Sequence, residues 1–481
     1  MISWFSVHGT SMNNSNLLIS GDNKGYASLK FEEKMNGFES LPGKGPFVAA
    51  FAQTNEGDSS PNTKGPSCPD GCPCDNAKST CNGLNEGCTG KGPGEDDFES
   101  TKIIGGKQLD LAFQLFQDTR ENIGDKLASI HQFVDLSSQT IPAEFSSTGK
   151  EAQTCPGALG VAFAAGTTDG PGEFDFTQGS NSSSDNIYWR FITRVLHDPS
   201  PDQVKCHFPK PILFDTQLTE FPAPWTPAIM PLQIFRIGRL FIVGVPGEFT
   251  TMSGRRLRDS VTRVISKEVQ DPIVVIAGLA NGYSHYVTTF EEYQYQRYEG
   301  ASTLYGPHTL AAYQVLYSKL AEALVKNETT PPGPSPPDLR DSTFNFLPDV
   351  YLDEPPFGKD FGDLRRDIDS SQTFIAGKST IAVEFYSGHP RNNFRQEDTF
   401  LTIERKQGNG FKVIATDGNW ETKFFWRREG IVASIVTVSW EIPAPTPPGV
   451  YRICHFGDFK GLLASGPYSG CSSLFHVSAS S

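Results

Sequence analysis

The chain has 481 residues, of which 37% are hydrophobic, and it carries a formal net charge of −14 at pH 7. This length allows two or three domains with a sizeable buried core, and the negative charge argues against nucleic acid as a partner, because phosphate binding needs a basic face. The sequence contains no run of eighteen or more apolar residues, so we expect no transmembrane segment.

The first predicted element is a strand over Ile2–Val7 in "MISWFSVHGTSMNNS", which has no basic region followed by a long apolar core and so does not read as a signal peptide. The strand is typical of a domain interior, yet nothing precedes it that could pair with it. We therefore expect an N-terminally truncated chain or an alternative start. Sequons at Asn13, Asn181 and Asn327 favour a secretory route, to the extracellular space or the lumen of the endoplasmic reticulum and Golgi.

His8 follows this strand and precedes a glycine. Its imidazole therefore stands at a strand end, where metal ligands are held rigidly. The alternative is a histidine whose hydrogen bonds are satisfied within a turn, and the segment alone favours that alternative.

A second predicted strand, Phe47–Ala52, leads into the turn "NEGDSSPNTKG" at residues 55–65, where Ser59 and Ser60 present two hydroxyls. Asp58 could cap the turn or orient Ser60. The motif is not the Gly-x-Ser-x-Gly elbow of α/β-hydrolases, whose strand–turn–helix context is absent here. Local chemistry therefore favours a turn over a nucleophile.

Five of the nine cysteines lie in the Gly/Pro/Asn-rich loop "CPDGCPCDNAKSTCNGLNEGC". The spacing resembles a zinc knuckle only loosely, and no histidine lies nearby to complete a mixed site. We expect a loop stapled by disulfides. The odd count leaves one cysteine without a partner, Cys68 or Cys72.

The middle of the chain predicts a mixed α/β region, with helices at Gln108–Asp118, 248–268 and Thr309–Lys326 and strands at Ile234–Val245 and Ile273–Ala277. Glu248 lies where the first of these strands turns through Pro-Gly into a helix. A carboxylate at this corner can ligate a metal or act as a base. It can equally be an acid that the helix dipole favours, and the local sequence favours the latter.

Residues 281–310 are unusually rich in tyrosine: Tyr283, Tyr286, Tyr293, Tyr295 and Tyr298 surround His285. Most tyrosines in such clusters pack at the edge of a core with a hydrated hydroxyl. A phenol near a cation can instead ionise and ligate zinc, or stabilise an oxyanion. Composition does not say which tyrosine acts.

The proline-rich stretch "NETTPPGPSPPD" cannot continue the preceding helix and marks a boundary. We expect a mixed α/β catalytic domain over 1–328, a linker over 329–338 and a C-terminal immunoglobulin-like β-sandwich over 339–481. Short alternating strands such as "TIAVEFYS" and "SIVTVSWEI" support the sandwich. Cys454 and Cys471 would join its last strands.

Four stretches together resemble the neutral ceramidases, zinc-dependent amidases that hydrolyse ceramide to sphingosine and a fatty acid. The stretches are "NEGDSSPN", "AAGTTDGPG", "PGEFTTMSGRRLR" and "SHYVTTFEEYQYQRYEGASTLYGPHTL". The resemblance extends over essentially the whole chain, and the cysteine loop and "TKIIGGKQLDLA" are typical of eukaryotic, in particular plant, members.

Carried over position by position, the resemblance implies that His8, Glu248 and Tyr286 are zinc ligands, that Ser60 is the active-site serine and that Tyr298 is a second active-site tyrosine. Tyr286 is chosen because it ends the Ser-His-Tyr triplet. The resemblance also matches cysteines to disulfides of the family: Cys74, Cys81 and Cys88 to its loop, and Cys155 with Cys206 to a further bridge.

The resemblance implies a mechanism in which a zinc-activated water attacks the amide carbonyl of ceramide presented in a membrane surface or a micelle. Tyr298 would hydrogen-bond the oxyanion, and Ser60 would hydrogen-bond the water or substrate rather than attack, because no histidine base with triad spacing is evident. One Zn²⁺ per chain is implied, and any Ca²⁺ or Mg²⁺ site stays unassigned.

The family also supplies another zinc-binding histidine, a neighbouring histidine and an arginine from a segment before "VHGTSM", and this sequence has no matching motif. We therefore expect three of four zinc ligands and impaired activity. The alternative function is a catalytically impaired isoform or fragment that binds lipid or a partner.

Overall fold

The structure is a computed structural model that describes residues 1–119, 121–172, 175–179, 199–219, 223–343, 347, 350 and 352–480. The sequon at Asn181 lies outside the described residues. No helix in these ranges combines the length and the apolarity that crossing a bilayer requires.

Helices and strands are mixed in the N-terminal part. Its helices are α1 (Asp22–Asn36), α2 (Asp97–Asp118), α3 (Val161–Ala164), α4 (Pro201–His207), α5 (Thr251–Ile265), α6 (Phe290–Tyr293), α7 (Tyr298–Ser302) and α8 (Thr309–Lys326). Its strands are β1 (Ile2–Phe5), β2 (Ala50–Gln53), β3 (Gly65–Ser67), β4 (Thr89–Lys91), β5 (Leu127–Asp135), β6 (Thr140–Ile141), β7 (Ala152–Gln153), β8 (Leu159–Gly160), β9 (Gly166–Thr167), β10 (Gly170–Pro171), β11 (Ile212–Phe214), β12 (Ile229–Ile237), β13 (Leu240–Gly244), β14 (Glu248–Phe249), β15 (Ile273–Ala277) and β16 (Tyr286–Val287).

The main core of this part forms around a sheet of order β15-β13-β12-β5, in which β13 and β15 are parallel and the other neighbours antiparallel. The strand β15, "IVVIA", is apolar throughout, but only Val274 and Ile276 are buried, whereas the alternate residues are partly exposed. Helices α5 and α8 supply the covering side chains, among them the fully buried Leu257, Val261, Tyr313 and Tyr317.

Two boundaries differ from the sequence prediction. The single strand predicted over Ile234–Val245 is wrong: residues 229–244 form the hairpin β12–β13, which turns at Gly238 with a φ of +59° that favours glycine. The helix predicted over 248–268 begins only at Thr251, because Thr250 caps it by accepting a hydrogen bond from the Ser253 amide. Glu248 therefore lies on a strand and not in the first turn of the helix.

Strand β1 pairs in parallel with β2, and α1 and α2 pack beside them around the fully buried Phe31. Helix α1 is not among the sequence predictions. Helix α2 is twice as long as the predicted Gln108–Asp118, because Asp96 caps its start by accepting from the Glu99 amide.

Disulfides join four pairs of cysteines: Cys68–Cys81, Cys74–Cys88, Cys155–Cys206 and Cys454–Cys471. All nine cysteines lie among the described residues, and the exposed Cys72 is the one left free, which resolves the open choice between Cys68 and Cys72. The Sγ atoms of Cys68, Cys74 and Cys81 lie within 4.8 Å of one another. Because all three are oxidised, they offer no thiolates to a metal.

The C-terminal part is mostly β. Its strands are β17 (Leu364–Arg366), β18 (Thr373–Ile375), β19 (Thr380–Ser387), β20 (Leu401–Gln407), β21 (Gly410–Thr416), β22 (Thr422–Glu429), β23 (Ala433–Glu441), β24 (Gly449–Lys460), β25 (Ser465–Cys471) and β26 (Phe475–Ser478), with a short 3-10 helix at Pro390–Asn392. They form a sheet of order β17-β19-β23-β22 and a second of order β18-β26-β24-β20-β21, with β25 on β24. Side chains of both sheets, including Trp440 and Phe475, share one core.

The proline-rich stretch between the two parts has no helix or strand, and it runs beside β5, where the Phe133 amide donates to the Pro332 carbonyl at 2.8 Å. Helix α1 contacts the C-terminal part directly. Lys30 pairs with Glu421 at 2.5 Å, and the rings of Tyr26 and Trp420 meet edge to face.

Candidate active site

Three polar side chains from distant parts of the chain meet at one point. His8 follows β1, Glu248 begins β14, and Tyr286 begins β16, which pairs in parallel with β14 so that Glu248 and Tyr286 stand side by side. The His8 Nε2 atom lies 2.9 Å from Glu248 Oε2 and 3.0 Å from the Tyr286 hydroxyl. One nitrogen atom and two oxygen atoms, all of kinds that can ligate a metal, thus lie within hydrogen-bond distance of one another.

The orientation of His8 is set by Ser59. The Ser59 carbonyl accepts from the His8 amide at 2.8 Å and lies 3.2 Å from His8 Nδ1. Because a carbonyl oxygen only accepts, this contact assigns a ring hydrogen to Nδ1. Nε2 then faces Glu248 and Tyr286: without a metal it donates its hydrogen to the Glu248 carboxylate, and it is the ring nitrogen that would meet a metal once that hydrogen is released.

Glu248 is held from its other side by Tyr283, whose hydroxyl donates to Glu248 Oε1 at 2.5 Å. Burial alone would raise the pKa of Glu248, but the hydrogen bonds from His8 and Tyr283 outweigh it and lower that pKa. Burial disfavours the charged form of His8, whereas the hydrogen bond and charge of Glu248 raise its pKa. The cluster therefore holds Glu248 as a carboxylate.

Tyr286 is 7% exposed. Burial and, after it, the charge of Glu248 raise the pKa of Tyr286, so that the phenol keeps its hydrogen next to the carboxylate. A divalent cation between these side chains would reverse that preference, because a cation stabilises the phenolate.

Glu56 lies in the same turn as Ser59 and is only 1% exposed, yet neither of its carboxylate oxygens has a hydrogen-bond partner among the described residues. Burial, and then the charge of Glu248, raise the pKa of Glu56 to about 8. Without a cation Glu56 is therefore mostly a neutral acid at pH 7, and a cation beside it, His8, Glu248 and Tyr286 would favour its charged form. The nitrogen and oxygen donors are of the types that zinc accepts, so this donor set fits Zn²⁺.

Gly57 brings the turn against β14. Its amide donates to the Phe249 carbonyl at 2.9 Å, and a Cβ atom at this position would lie 2.8 Å from the Glu248 carbonyl oxygen. The backbone can approach this closely only without a side chain. The close approach is what places the Ser59 carbonyl against His8.

Tyr298 begins α7 beside this cluster. Its ring meets that of Tyr286 edge to face, with 5.3 Å between centroids, and stacks on Phe163 at 5.7 Å. Burial raises the pKa of Tyr298 to about 12, so its hydroxyl stays protonated at neutral pH and can donate a hydrogen bond.

Ser60 is exposed and does not touch the three converging side chains directly; it is linked to them through its neighbour Ser59. The sequence interpretation that Asp58 could orient Ser60 is not what the structure has. Asp58 accepts from the Thr251 amide at 2.6 Å, at the start of α5. The Ser60 hydroxyl instead donates to Asp169 Oδ2 at 2.6 Å.

The structure thus brings His8, Glu248 and Tyr286 together and places Tyr298 against them. Their roles, and that of Ser60, stay predictions. The sequence reasoning did not single out Tyr283, Glu56 or Asp169. All three do lie in stretches quoted above, the tyrosine-rich segment for Tyr283, "NEGDSSPNTKG" for Glu56 and "AAGTTDGPG" for Asp169, but nothing local distinguishes them from their neighbours.

Two family models match almost the whole chain: that of the N-terminal region of neutral/alkaline non-lysosomal ceramidases over residues 1–315, and that of their C-terminal region over residues 317–477. Neutral ceramidase B of Dictyostelium discoideum is 48% identical over 99% of this chain and 66% of its own length. Neutral ceramidase 2 of Arabidopsis thaliana is 43% identical over 98% of this chain and 71% of its own length.

Solved structures agree. A ceramidase complexed with C2 superposes with a TM-score of 0.84 at 38% identity, covering 99% of this chain and 69% of that one. The neutral ceramidase of Pseudomonas aeruginosa gives a TM-score of 0.81 at 37% identity, covering 100% of this chain and 69% of its own. The chain therefore spans about two thirds of the length of the relatives it matches.

Proposed function

Because this chain belongs to the neutral/alkaline non-lysosomal ceramidase family, we propose that it hydrolyses the N-acyl amide bond of ceramide to sphingosine and a free fatty acid. The observation that carries the proposal is the convergence of His8 Nε2, Glu248 and the Tyr286 hydroxyl within 3.0 Å. This cluster is the kind of donor set that an amidase needs to activate water against an unreactive amide.

We propose that His8, Glu248 and Tyr286 hold one Zn²⁺. When bound, zinc supplies a Lewis acid for the carbonyl and lowers the pKa of water towards neutrality, so that a nucleophile is available at pH 7. The donor types and the buried, unpartnered Glu56 beside them support zinc at this point. Ca²⁺ and Mg²⁺ stay unassigned.

The side chains around the cluster have separate tasks in this proposal. Tyr298, protonated at neutral pH, donates a hydrogen bond to the oxyanion that develops on the amide carbonyl. Tyr283 keeps the Glu248 carboxylate in one orientation through its 2.5 Å hydrogen bond. Ser60 contacts the attacking water or the substrate and is not itself the attacking atom.

The domain bounds, the cellular compartment and the way ceramide is presented are also part of the proposal. We infer a catalytic domain over 1–328, a linker over 329–338 and an immunoglobulin-like β-sandwich over 339–481, which the two sheets with a common core support. Four disulfides support an oxidising compartment, hence the secretory pathway and glycosylation at sequons. Ceramide would be met in a membrane surface or a micelle.

The test combines metal analysis of the purified chain with a ceramide-hydrolysis assay. We expect one zinc per chain and turnover, with both lost in His8→Ala. His131→Ala is the matched control, because His131 is exposed on β5 and contacts none of the cluster. A zinc-free chain without turnover would refute the proposal and favour the non-catalytic, lipid- or partner-binding alternative.

A further inference from the structure

Asp169 lies in the turn between β9 and β10 and collects hydrogen bonds from two other segments. Its Oδ2 atom accepts from Ser60 Oγ at 2.6 Å and from Thr10 Oγ1 at 3.1 Å, and its Oδ1 atom accepts from Asn62 Nδ2 at 2.8 Å. The carboxylate thus ties the loop after His8 to the turn that carries Ser60. Neither the zinc cluster nor the mechanism proposed above uses it.

The position of the carboxylate is itself constrained. The Asp169 amide donates to Thr167 Oγ1 at 3.1 Å, and a Cβ atom on Gly90 would lie 2.6 Å from Asp169 Oδ1. The lack of a side chain at Gly90 therefore leaves the room that the carboxylate occupies. Three donors and one close backbone contact give Asp169 a single orientation.

The hydrogen bonds of the Ser60 hydroxyl follow from this fixed carboxylate. A carboxylate only accepts, so the single hydroxyl hydrogen of Ser60 points at Asp169. The hydroxyl oxygen also accepts from the Asn62 amide at 3.0 Å. One lone pair of the oxygen remains, and no hydrogen remains to donate.

We propose that Asp169 is the positioning residue of Ser60. By taking the hydroxyl hydrogen, its carboxylate makes Ser60 a hydrogen-bond acceptor for an O–H or N–H group of the substrate or of the attacking water. This inference rests on the proposed function and specifies the role of Ser60 within it. It also separates Ser60 from a serine nucleophile, whose hydrogen has to pass to a base.

The experiment measures kcat and KM for a short-acyl ceramide, together with zinc content and thermal unfolding, in the full chain. Asp169→Asn keeps the shape of the side chain but replaces one acceptor oxygen by a donor. We expect kcat/KM to fall about 10- to 100-fold, the usual cost of losing a charge-assisted hydrogen bond, while zinc content stays within error of the wild type and Tm falls by no more than about 5 °C.

Asp96→Asn is the matched control. Asp96 lines the same cavity of about 470 Å³ as Asp169 but contacts the start of α2, where asparagine caps equally well, so kcat/KM should change less than about threefold. Ser60→Ala supplies the second arm of a double-mutant cycle. If Asp169 acts through Ser60, Asp169→Asn lowers kcat/KM no further in the Ser60→Ala background.

Additive losses in the two variants, or equal losses in Asp169→Asn and Asp96→Asn, would overturn the positioning role. An acyl adduct on the wild-type chain that is absent in Ser60→Ala, detected by mass spectrometry after rapid quenching, would overturn the acceptor role. A wild-type chain without turnover would instead refute the proposed function, and this inference with it.

Discussion

The hydrogen bond from Tyr283 to Glu248 leads to a quantitative prediction about zinc affinity. Replacing Tyr283 by Phe removes the hydroxyl that donates to Glu248 Oε1 at 2.5 Å and leaves the ring in place. Burial, and then the charge of Glu248, raise the pKa of Tyr283, so the group that is lost is a protonated donor to a carboxylate. Such a bond contributes about 1.5–3 kcal/mol, or roughly 10- to 150-fold in an equilibrium constant.

Tyr283 is 45% exposed, so water can replace part of the lost hydrogen bond, and the lower end of this range applies. We expect the Kd for Zn²⁺ to rise about tenfold, in line with the usual effect of removing a partner of a metal ligand. The assay is competition with a chromophoric zinc chelator, which needs no turnover.

Tyr295→Phe is the control, because Tyr295 is 80% exposed and offers the same chemical change away from Glu248. A Kd for Tyr283→Phe within about threefold of the wild type, with Tyr295→Phe unchanged, would refute the argument that Tyr283 orients the carboxylate.

Three further predictions concern stability and chemistry elsewhere. Burial lowers the pKa of His455 from 6.5 to about 4, so as the pH falls the unfolded chain binds the proton before the folded chain does. The free energy of unfolding should therefore be highest above pH 6.5 and decline by about 3 kcal/mol towards pH 4. His455→Gln should flatten this slope in urea unfolding at several pH values, and an unchanged slope would contradict the assignment. The native chain should react with one equivalent of a thiol reagent and Cys72→Ser with none; a reactive thiol in the variant would show a different pairing. Gly57→Ala should destabilise the fold by about 1–3 kcal/mol and weaken zinc binding, because its Cβ meets the Glu248 carbonyl. Gly106→Ala is the control: a Cβ at Gly106 would meet no atom within 4 Å, so this variant should neither destabilise the fold nor weaken zinc binding. Equal losses in the two variants would contradict the close approach at Gly57.

The strands of the C-terminal part were predictable because their pattern is local. Residues of β19, "TIAVEFYS", alternate strictly between buried and less buried positions, which is the pattern of a strand with one face on a core. Helix α1 was not predictable in this way. Its buried positions include Asp22, Asn23 and Glu32, so contacts with α2 and β2, and not an apolar stripe, hold it in place.

The candidate site was likewise predictable only in part. Each of its motifs carries a local signal, a histidine after a strand, an acid at a corner or a tyrosine cluster, but local chemistry favoured the structural interpretation for each. Only the resemblance to a family brought them together beforehand. Asp58 and Asp169 show why local reasoning fails here. The sequence suggested the adjacent Asp58 as the partner of Ser60, whereas the partner in the structure is Asp169, 109 residues further along the chain.

Helix α1 connects the two parts of the molecule mechanically. In its first turn Asn23 Nδ2 donates to the His8 carbonyl at 2.9 Å, and about two turns further along Lys30 pairs with Glu421 of the C-terminal part. The helix has 15 residues and so acts as a stiff rod about 22 Å long. Cutting the proline-rich stretch would therefore not yield two independent pieces: the C-terminal part braces the backbone of His8, and exchanging it between relatives requires exchanging the matching face of α1 as well.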